Sequence, residues 1–223
     1  MKIIAHRGAS AYSPENSLDA LALAIEHGVD GIEFDIHFIH GQAFVMHDFS
    51  LARTHQQPYT LAELTPQQLT DYGVPVLDDV LQLIGQACRI NIEIKSVDDI
   101  HAFSNYIQQL QHRHQLANDV IMSSFDHHIL VALQRAGIKA QYGALIAHKP
   151  IDYAAYAQTL GMDIVAVEDA MVSAEFVQDA HARGKAIWVY TVDDVTFAKQ
   201  LAQWGVDAIF TNDTLTMMAT FKS

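Results

Sequence analysis

Cysteine is nearly absent from this chain of 223 residues, which contains only Cys88. A single cysteine excludes an internal disulfide and is typical of proteins in a reducing compartment. No run of about 20 apolar residues occurs, so the sequence predicts no membrane-spanning helix. The apolar run in the N-terminal MKIIAHRGAS is too short for a signal peptide. We therefore expect a cytoplasmic protein that has no stable association with membranes.

Positive charge is also scarce, because 13 lysines and arginines stand against 26 aspartates and glutamates, and the formal net charge is −13. Binding to nucleic acid is not expected, since a phosphate backbone requires a basic surface. A small anionic ligand would need arginine or lysine side chains gathered at its site. Half of the residues are hydrophobic, so the chain can bury a sizeable core. We expect one domain over residues 1–223.

A repeated pattern runs along most of the chain. Helical segments end in a glycine that is followed by a short apolar run, as at Gly28, Gly137, Gly161, Gly184 and Gly205. Glycine ends many helices in the left-handed conformation, so each repeat is typical of one helix–strand unit. Eight such units predict a closed (β/α)8 TIM barrel of the α/β class. Its strands are expected at residues 2–6, 31–36, 90–95, 120–124, 140–146, 164–168, 186–191 and 208–211.

Three segments depart from this simple alternation. The apolar run at 43–47 follows a turn at 40–42 and is predicted to pair with the second strand as an extra hairpin strand. Residues 48–76 contain several prolines and are predicted to form a small insertion with one short helix near Leu61–Leu69. Residues 13–16, Ser-Pro-Glu-Asn, predict a helix start. No Gly-x-Gly-x-x-Gly follows the first strand, which counts against an open dinucleotide-binding sheet.

Polar residues stand at the ends of the predicted strands, where the active site of a parallel barrel forms. Alternation along the second strand places Glu33, Asp35 and His37 on one face, opposite the apolar residues. Burying carboxylates on an apolar strand is costly unless a cation compensates them. The strand ends that meet at this rim are His6-Arg7, Glu33 to Asp35, Glu93 to Lys95, Ser123-Ser124, Glu168, Tyr190-Thr191 and Thr211.

Three of these residues predict a metal site. Glu33, Asp35 and Glu93 offer only oxygen ligands, which favour Mg²⁺, Ca²⁺ or Mn²⁺ over zinc. His37 shares a face with the first two, either as a further ligand or as a hydrogen-bonded neighbour. Arg7 presents a planar fork suited to two phosphate oxygens, and Lys95 adds a second positive charge.

Two histidines complete a set of groups for phosphodiester cleavage. We expect His6 and His47 on opposite sides of a bound phosphate, where one takes a proton from the attacking oxygen and the other protonates the leaving alkoxide. A divalent cation and an arginine would stabilise the charge of the transition state. Glu168 and Tyr190 are candidate substrate contacts, and Tyr190 with Phe38 is a candidate apolar wall for a glycerol or alcohol group.

These residues also occur in motifs that resemble the glycerophosphodiester phosphodiesterase family. The resemblance runs from residue 6 to the end of the chain through HRGASAYSPENSLDA, GIEFDI, VMHDFSLART, PVLDDVL, NIEIK and SSFD. It implies a TIM barrel with an insertion after the His-Asp motif. It also implies hydrolysis of glycerophosphocholine, glycerophosphoethanolamine and similar diesters to sn-glycerol 3-phosphate and an alcohol. The implied roles are acid and base for His6 and His47, phosphate binding for Arg7, and metal binding for Glu33, Asp35 and Glu93, with Lys95 beside them.

The chain departs from the family pattern in three places. The insertion is shorter than usual, Tyr190-Thr191-Val192-Asp193 replaces Trp-Thr-Val-Asn, and Thr211-Asn212 stands where the family has Thr-Asp. These positions are candidate substrate contacts, so the resemblance predicts the reaction class more firmly than the preferred alcohol group.

Two other functions use the same site. A lysophospholipase D or sphingomyelinase D-like enzyme would act on lipid, but the sequence has no basic amphipathic helix for docking on a membrane. A non-catalytic glycerophosphodiester sensor would bind without turnover. Retention of both histidines and all three acids favours an enzyme over a sensor, because binding alone requires no acid/base pair.

Overall fold

A closed barrel forms the centre of the computed structural model, which describes residues 1–117 and 119–222. Its strands are β1 (Lys2–His6), β2 (Gly31–Ile39), β3 (Gln42–Val45), β4 (Arg89–Val97), β5 (Ile121–Ser124), β6 (Gln141–Ile146), β7 (Ile164–Glu168), β8 (Ala186–Tyr190) and β9 (Ala208–Thr211). The sheet closes because β1 pairs in parallel with both β2 and β9. β3 lies outside the parallel set, antiparallel to the end of β2. The predicted TIM barrel with one extra hairpin strand is therefore confirmed.

Helices alternate with the parallel strands and cover the outside of the barrel. They are α1 (Leu18–Glu26), α2 (Ala52–His55), α3 (Pro66–Asp71), α4 (Leu77–Ile84), α5 (Ile100–His112), α6 (His127–Arg135), α7 (Ala155–Thr159), α8 (Ala174–Ala182), α9 (Val195–Trp204) and α10 (Thr214–Phe221). Within the described residues, none of these helices combines the length and the hydropathy needed to cross a membrane.

The alternation along β2 decides which side chains face the site. Its apolar residues point outward into the core between strands and helices, where Phe38 packs against Phe103 and Tyr106 with ring centroids 5.0 and 5.6 Å apart. Glu33 and Asp35 lie on the opposite face of the strand, as the alternation predicts. The expectation that Phe38 forms a wall of the site was therefore wrong, because the helix layer covers it.

An apolar cluster inside the barrel forms the floor below the polar residues. Its members are Ile4, Ile121, Leu145, Ile164, Ala166, Trp188, Ala208 and Phe210. The rings of Trp188 and Phe210 lie 5.5 Å apart between centroids. A filled interior keeps the site at the rim, so side chains at the strand ends can reach a ligand while those below cannot.

A short repeat at the opposite end of the barrel locks neighbouring strands in register. The sequence Gly-x-Asp precedes β2, β7 and β9, and each aspartate accepts a backbone N–H of an adjacent strand. The pairs are Ile3 to Asp30, Tyr142 to Asp163 and Ile187 to Asp207, with donor–acceptor distances of 2.7, 2.8 and 2.8 Å. These bonds satisfy the N–H groups of the second residues of β1, β6 and β8, at the end of the barrel opposite the site.

The segment between β3 and α4 contains α2, a 3-10 turn at Leu61–Glu63 and α3. It has a small apolar cluster of its own, which includes Phe44, Leu51 and Leu69. The single helix predicted over Leu61–Leu69 is divided into two pieces. Thr65 causes the division, since its extended backbone caps α3, its hydroxyl accepts from the Gln68 N–H, and Pro66 occupies the first helical position.

The helix start predicted at residues 13–16 was also displaced. α1 begins at Leu18, and the Ser17 hydroxyl caps it by accepting the N–H of Ala20 at 3.1 Å. Asn16 has a backbone φ of +59°, which is incompatible with a right-handed helix. The side chain of Asn16 is instead directed to Asp35, so this residue serves the site and the helix starts after it.

Candidate active site

Three carboxylates meet at the rim of the barrel. Asp35 of β2 and Glu93 of β4 face one another in register, and Glu33 lies one alternation below Asp35. One oxygen from each residue lies within 4.8 Å of the others, and all three side chains are buried. The acids predicted from the sequence are therefore brought together by two adjacent parallel strands.

Burial of this cluster strongly affects its ionisation. Desolvation and the neighbouring charges of Asp35 and Glu93 raise the pKa of Glu33 well above its ordinary value. Desolvation and the charge of Asp35 also raise the pKa of Glu93 to about 7, although Lys95 opposes this effect. A bound cation would lower both pKa values and favour the ionised carboxylates.

Arg7 and Lys95 supply the positive charge predicted for the site. The Arg7 guanidinium places Nε 3.2 Å from Asp35 Oδ2, and the Arg7 backbone N–H donates to Glu33 Oε2 at 2.9 Å. Lys95 Nζ donates to Glu93 Oε1 at 2.7 Å and lies 3.7 Å from Asp35 Oδ1. Both cationic side chains therefore form ion pairs with the acid cluster.

Two oxygens of the cluster have no hydrogen-bond partner among the described residues. Glu33 Oε1 and Asp35 Oδ1 are buried and accept no hydrogen bond from any residue in the described part of the chain. Leaving such oxygens unpaired is costly. Oxygen-only donors in this number suit a hard divalent cation. The residues present therefore fit a single metal ion held between the three carboxylates.

Asn16 orients the middle acid of the cluster. Its Nδ2 donates to Asp35 Oδ2 at 2.9 Å, and its Oδ1 accepts the Asp35 backbone N–H at 3.2 Å. This two-way contact leaves Asp35 Oδ1 as the oxygen directed to a ligand.

His6 ends β1 at the same rim. Its Nδ1 lies 2.8 Å from Asn212 Oδ1, and the amide of Asn212 is oriented because its Nδ2 donates to Asp193 Oδ2 at 2.7 Å. His6 Nδ1 must therefore carry the proton, which leaves Nε2 as the free nitrogen. Burial and the charge of Arg7 both lower the pKa of His6, so the neutral ring is favoured.

His47 follows β3 and has a different partner. Its Nδ1 lies 2.7 Å from Asp48 Oδ1, and Arg53 Nε donates to the other oxygen of Asp48 at 2.6 Å. The Arg53 contact lowers the pKa of Asp48 to about 2, so Asp48 is ionised and His47 Nδ1 donates the hydrogen bond. His47 Nε2 makes no hydrogen bond to the residues that the structure describes.

His37 faces inward but is engaged in hydrogen bonds. Its Nδ1 lies 2.7 Å from Ser96 Oγ and its Nε2 lies 3.2 Å from the backbone oxygen of His47. The acceptor at Nε2 requires a proton there, so Nδ1 accepts from Ser96. Of the two roles that the sequence left open for His37, these contacts favour the hydrogen-bonded neighbour.

Two cavities have predicted site residues in their lining. A cavity of about 20 Å³ on the barrel axis is lined by His6, Glu33, Glu93 and Tyr190, among others. A second cavity of about 250 Å³ lies between residues 14–17 and the insertion, and its lining includes His47. The structure therefore brings both histidines to the same end of the barrel on different walls.

Tyr190 and Glu168 lie opposite one another at the ends of β8 and β7. The Tyr190 hydroxyl donates to the Ile146 backbone oxygen at 2.8 Å, and burial together with the charge of Glu168 raises the pKa of Tyr190. Glu168 is half-buried and forms no hydrogen bond or ion pair within the described residues. Its predicted substrate role therefore depends on position alone.

Two exposed phenylalanines form the apolar part of the rim in place of Phe38. Phe49 follows the His-Asp pair and packs edge-on against His37, with ring centroids 4.7 Å apart. Phe125 follows β5, lies 5.9 Å from the ring of Tyr190 and has Lys95 Nζ 5.6 Å from its ring centroid. Phe125 directly follows the end of β5 and Phe49 directly follows the His-Asp pair, and these positions were the signals that could have identified them from the sequence.

Sequence reasoning did not identify which residues hold the histidines and Arg7, although it singled out Asp193 and Asn212 as departures from the family pattern and candidate substrate contacts. Asn212 and Asp193 come from the last two loops of the barrel, more than 180 residues from His6, and only the closed fold joins them to it. Asn16 and Arg53 lie inside the two motifs that were recognised, yet neither was assigned a role. In each case the available signal was a polar residue that does not fit the periodic pattern of a strand or a helix.

A family model described as the glycerophosphoryl diester phosphodiesterase family matches residues 6–216 of the chain. Among relatives, a glycerophosphodiester phosphodiesterase of Bacillus altitudinis is 29% identical over 95% of this chain and 94% of its own. A glycerophosphodiester phosphodiesterase of Caldanaerobacter subterraneus is 27% identical over 97% of this chain and 96% of its own.

Solved structures share the fold at low sequence identity. A phosphodiesterase of Oleispira antarctica, solved in complex with the product sn-glycerol-3-phosphate, aligns with a TM-score of 0.88 at 22% identity over 100% of this chain and 97% of its own. A glycerophosphodiester phosphodiesterase of Thermotoga maritima aligns with a TM-score of 0.82 at 24% identity over 98% of this chain and 97% of its own.

Proposed function

Because the chain belongs to the glycerophosphoryl diester phosphodiesterase family, we propose that it hydrolyses glycerophosphodiesters to sn-glycerol 3-phosphate and an alcohol. The observation that carries the proposal is the pair of unpartnered oxygens on Glu33 and Asp35, buried beside Arg7. A metal ion bound to these oxygens and a phosphate bound to Arg7 would together supply the missing partners. The product complex of the Oleispira structure supports a phosphomonoester product. Small cytoplasmic diesters such as glycerophosphocholine and glycerophosphoethanolamine are the proposed substrates.

The acid cluster and the two cations would bind the phosphate. Glu33, Asp35 and Glu93 would hold one divalent cation, which we propose to be Mg²⁺, Ca²⁺ or Mn²⁺. When bound, this cation would supply positive charge to the phosphate oxygens in the transition state. Arg7 is partly exposed while it contacts Asp35, so its guanidinium is accessible for a phosphate oxygen.

The partners of the two histidines support different roles. The Asp48 carboxylate stabilises a positive charge on His47, whereas His6 contacts a neutral amide and adjoins Arg7. We therefore assign His6 as the general base, which removes a proton from the attacking water through Nε2. The water oxygen bonds to phosphorus as the bond between phosphorus and the alcohol oxygen breaks. His47 acts in its doubly protonated form, with Nδ1 bonded to Asp48, and donates its Nε2 proton to that departing oxygen.

The proposal is tested by following glycerophosphocholine hydrolysis with phosphorus NMR. We expect a signal from glycerol 3-phosphate, and we expect His47→Ala to lower kcat by about 10²-fold or more, consistent with loss of a general acid. Phosphocholine as the product would contradict the proposal, because the other ester bond would then be the one that breaks. Substrate binding without any product would support the sensor.

A second candidate is hydrolysis of lysophospholipids. It is favoured by the exposure of Phe49 and Phe125 at the rim, where they would contact an acyl chain. Comparing kcat/KM on glycerophosphocholine with kcat/KM on micellar lysophosphatidylcholine separates the two candidates. A higher value on the micellar substrate, lowered by replacing either phenylalanine with serine, would favour the second.

A further inference from the structure

The Arg53 side chain connects the loop after β3 with the loop after β1, two parts of the site that no strand joins. Its Nε donates to Asp48 Oδ2 at 2.6 Å, and its NH1 and NH2 groups donate to Glu15 Oε2 and Oε1 at 2.8 and 2.6 Å. One guanidinium therefore bridges two carboxylates through three hydrogen bonds. This arrangement uses the planar fork of arginine, which a lysine ammonium cannot reproduce.

Each of the two carboxylates contacts a residue of the proposed reaction. Asp48 accepts from His47, and Glu15 Oε1 accepts from Arg7 NH1 at 2.9 Å. The contacts form a continuous chain from the histidine through Asp48, Arg53 and Glu15 to the arginine. Asp48 and Glu15 would repel one another without the guanidinium between them, since both are ionised at neutral pH.

The backbone of Arg53 is well anchored although its side chain is half exposed. Arg53 lies in α2, two residues after the fully buried Leu51, whose N–H donates to the Tyr59 backbone oxygen at 2.9 Å. Leu51 packs in the apolar cluster of the insertion. The insertion therefore holds the guanidinium at a fixed place beside the barrel rim.

We propose that Arg53 is a positioning residue that acts through Asp48 on His47 and through Glu15 on Arg7. The short helix α2 thereby sets the direction of the acid/base histidine and of the phosphate-binding arginine together. The proposal rests on the proposed function for its effect on turnover, whereas the protonated nitrogen of the His47 ring is identified without substrate.

Removing the Arg53 side chain is expected to change the geometry of the site and not the stability of the fold. Exposed ion pairs contribute little to the free energy of unfolding. A misplaced catalytic group, however, costs about 10²-fold in rate for a displacement of about 1 Å. Removing the Arg53 fork is therefore expected to lower kcat while the melting temperature stays close to that of the wild type.

The test uses Arg53→Met and Arg53→Lys in the full chain, with Arg183→Met as the matched control. Arg183 also bridges two acceptors, Asp179 Oδ2 and Gln158 Oε1, at 2.9 Å each, but on the side of the barrel away from the rim sites described above. Long-range proton–nitrogen NMR spectra report which ring nitrogen of each histidine is protonated, and His47→Gln assigns the signals of His47. Turnover of glycerophosphocholine and the affinity for Mn²⁺ are measured on the same samples.

We expect the neutral His47 ring in Arg53→Met to lose its single Nδ1-protonated form. We also expect kcat to fall about 10-fold to 100-fold, with Mn²⁺ affinity changed by less than about 2-fold. Arg53→Lys should show an intermediate loss, and Arg183→Met should match the wild type. His47 signals in Arg53→Met identical to those of the wild type would overturn the proposal. Full activity of Arg53→Lys would also overturn it, because the fork would then be unnecessary. If the wild type releases no glycerol 3-phosphate, the proposed function fails, and the histidine spectra still decide the role of Arg53.

Discussion

His6 and Asn212, 206 positions apart in the chain, are joined by a hydrogen bond of 2.8 Å between Nδ1 and Oδ1. The bond connects the end of the first strand to the residue after the last, so it forms only when the barrel closes. Asp193 accepts from both the side chain and the backbone N–H of Asn212, at 2.7 and 2.8 Å, and thus fixes the amide. Closing the barrel therefore also fixes the direction of His6 Nε2.

Asn212→Ala is predicted to lower kcat by about 10-fold to 100-fold, because His6 then exchanges between tautomers and its Nε2 is no longer reserved for the substrate. The measurement is steady-state turnover of glycerophosphocholine. Asn105→Ala, on the exposed side of α5, is the control and should retain full activity. Equal activity of the two variants would show that Asn212 is not needed to orient His6.

Glu33→Gln is predicted to weaken the binding of a divalent cation by at least about 10-fold and to lower turnover with it, since a carboxylate ligand is lost. The metal-free variant should melt at a higher temperature than the metal-free wild type at neutral pH, because a neutral amide replaces an acid that is costly to ionise when buried. Calorimetric titration and thermal melts measure the two effects. An unchanged metal affinity would show that Glu33 is not a ligand, and Glu26→Gln on the surface serves as the control.

Binding of the metal is predicted to release protons. In the folded, metal-free protein the pKa of Glu93 is raised to about 7 and that of Glu33 lies well above its ordinary value, so the cluster holds protons at a pH where free glutamates have lost them. A ligand that needs carboxylates must displace these protons, and its apparent affinity should rise with pH up to about pH 7 or above. Calorimetry near pH 6 in two buffers of different ionisation enthalpy counts the protons released. A binding enthalpy independent of the buffer would contradict this prediction.

The same shifts determine how the stability of the metal-free protein depends on pH. A group whose folded pKa exceeds its unfolded value stabilises the fold below the unfolded pKa and loses that contribution as pH rises through the folded pKa. Glu93 should therefore cost the metal-free protein stability between about pH 4.5 and about pH 7. The melting temperature of Glu93→Gln minus that of the wild type should increase across this interval, which separates Glu93 from the other titrating groups.

Gly8→Ala is predicted to destabilise the fold far more than Gly41→Ala. Both glycines have a positive φ, +82° and +77°, so both variants carry the backbone cost of about 1–2 kcal/mol. A Cβ on Gly8 would lie 2.6 Å from the Ala20 backbone carbon, whereas one on Gly41 would meet nothing within 4 Å. The clash should add about 1–3 kcal/mol. Urea unfolding followed by circular dichroism compares the pair, and equal free energies of unfolding would mean that the loop after β1 shifts without cost.

Much of the fold was predictable because the relevant signals are local. Each strand is a short apolar run, and a glycine ends the helix before most of them, so the count of eight units follows from a pattern that is visible within about 25 residues. The alternation along β2 placed Glu33 and Asp35 on the inner face by the same local rule. The family and the enzyme class predicted from the motifs are confirmed by the match over residues 6–216.

The parts that were missed depend on contacts between distant segments or on competition between neighbours. The start of α1 was misplaced because Asn16 binds Asp35, which no local propensity indicates. Phe38 was assigned to the site although the alternation of β2 directs it to α5. The single domain, the cytoplasmic location, the identity of the metal and the role of each site residue stay predictions.

Metal-dependent turnover tests the central claim most directly. Release of glycerol 3-phosphate from glycerophosphocholine and from glycerophosphoethanolamine is measured after treatment with EDTA and then with Mg²⁺, Ca²⁺ or Mn²⁺ added singly. Because Glu33, Asp35 and Glu93 are the proposed ligands, the account predicts that chelation abolishes turnover and that at least one of these ions restores it. Undiminished turnover in EDTA would contradict it, since the three buried carboxylates would then have no part in the reaction.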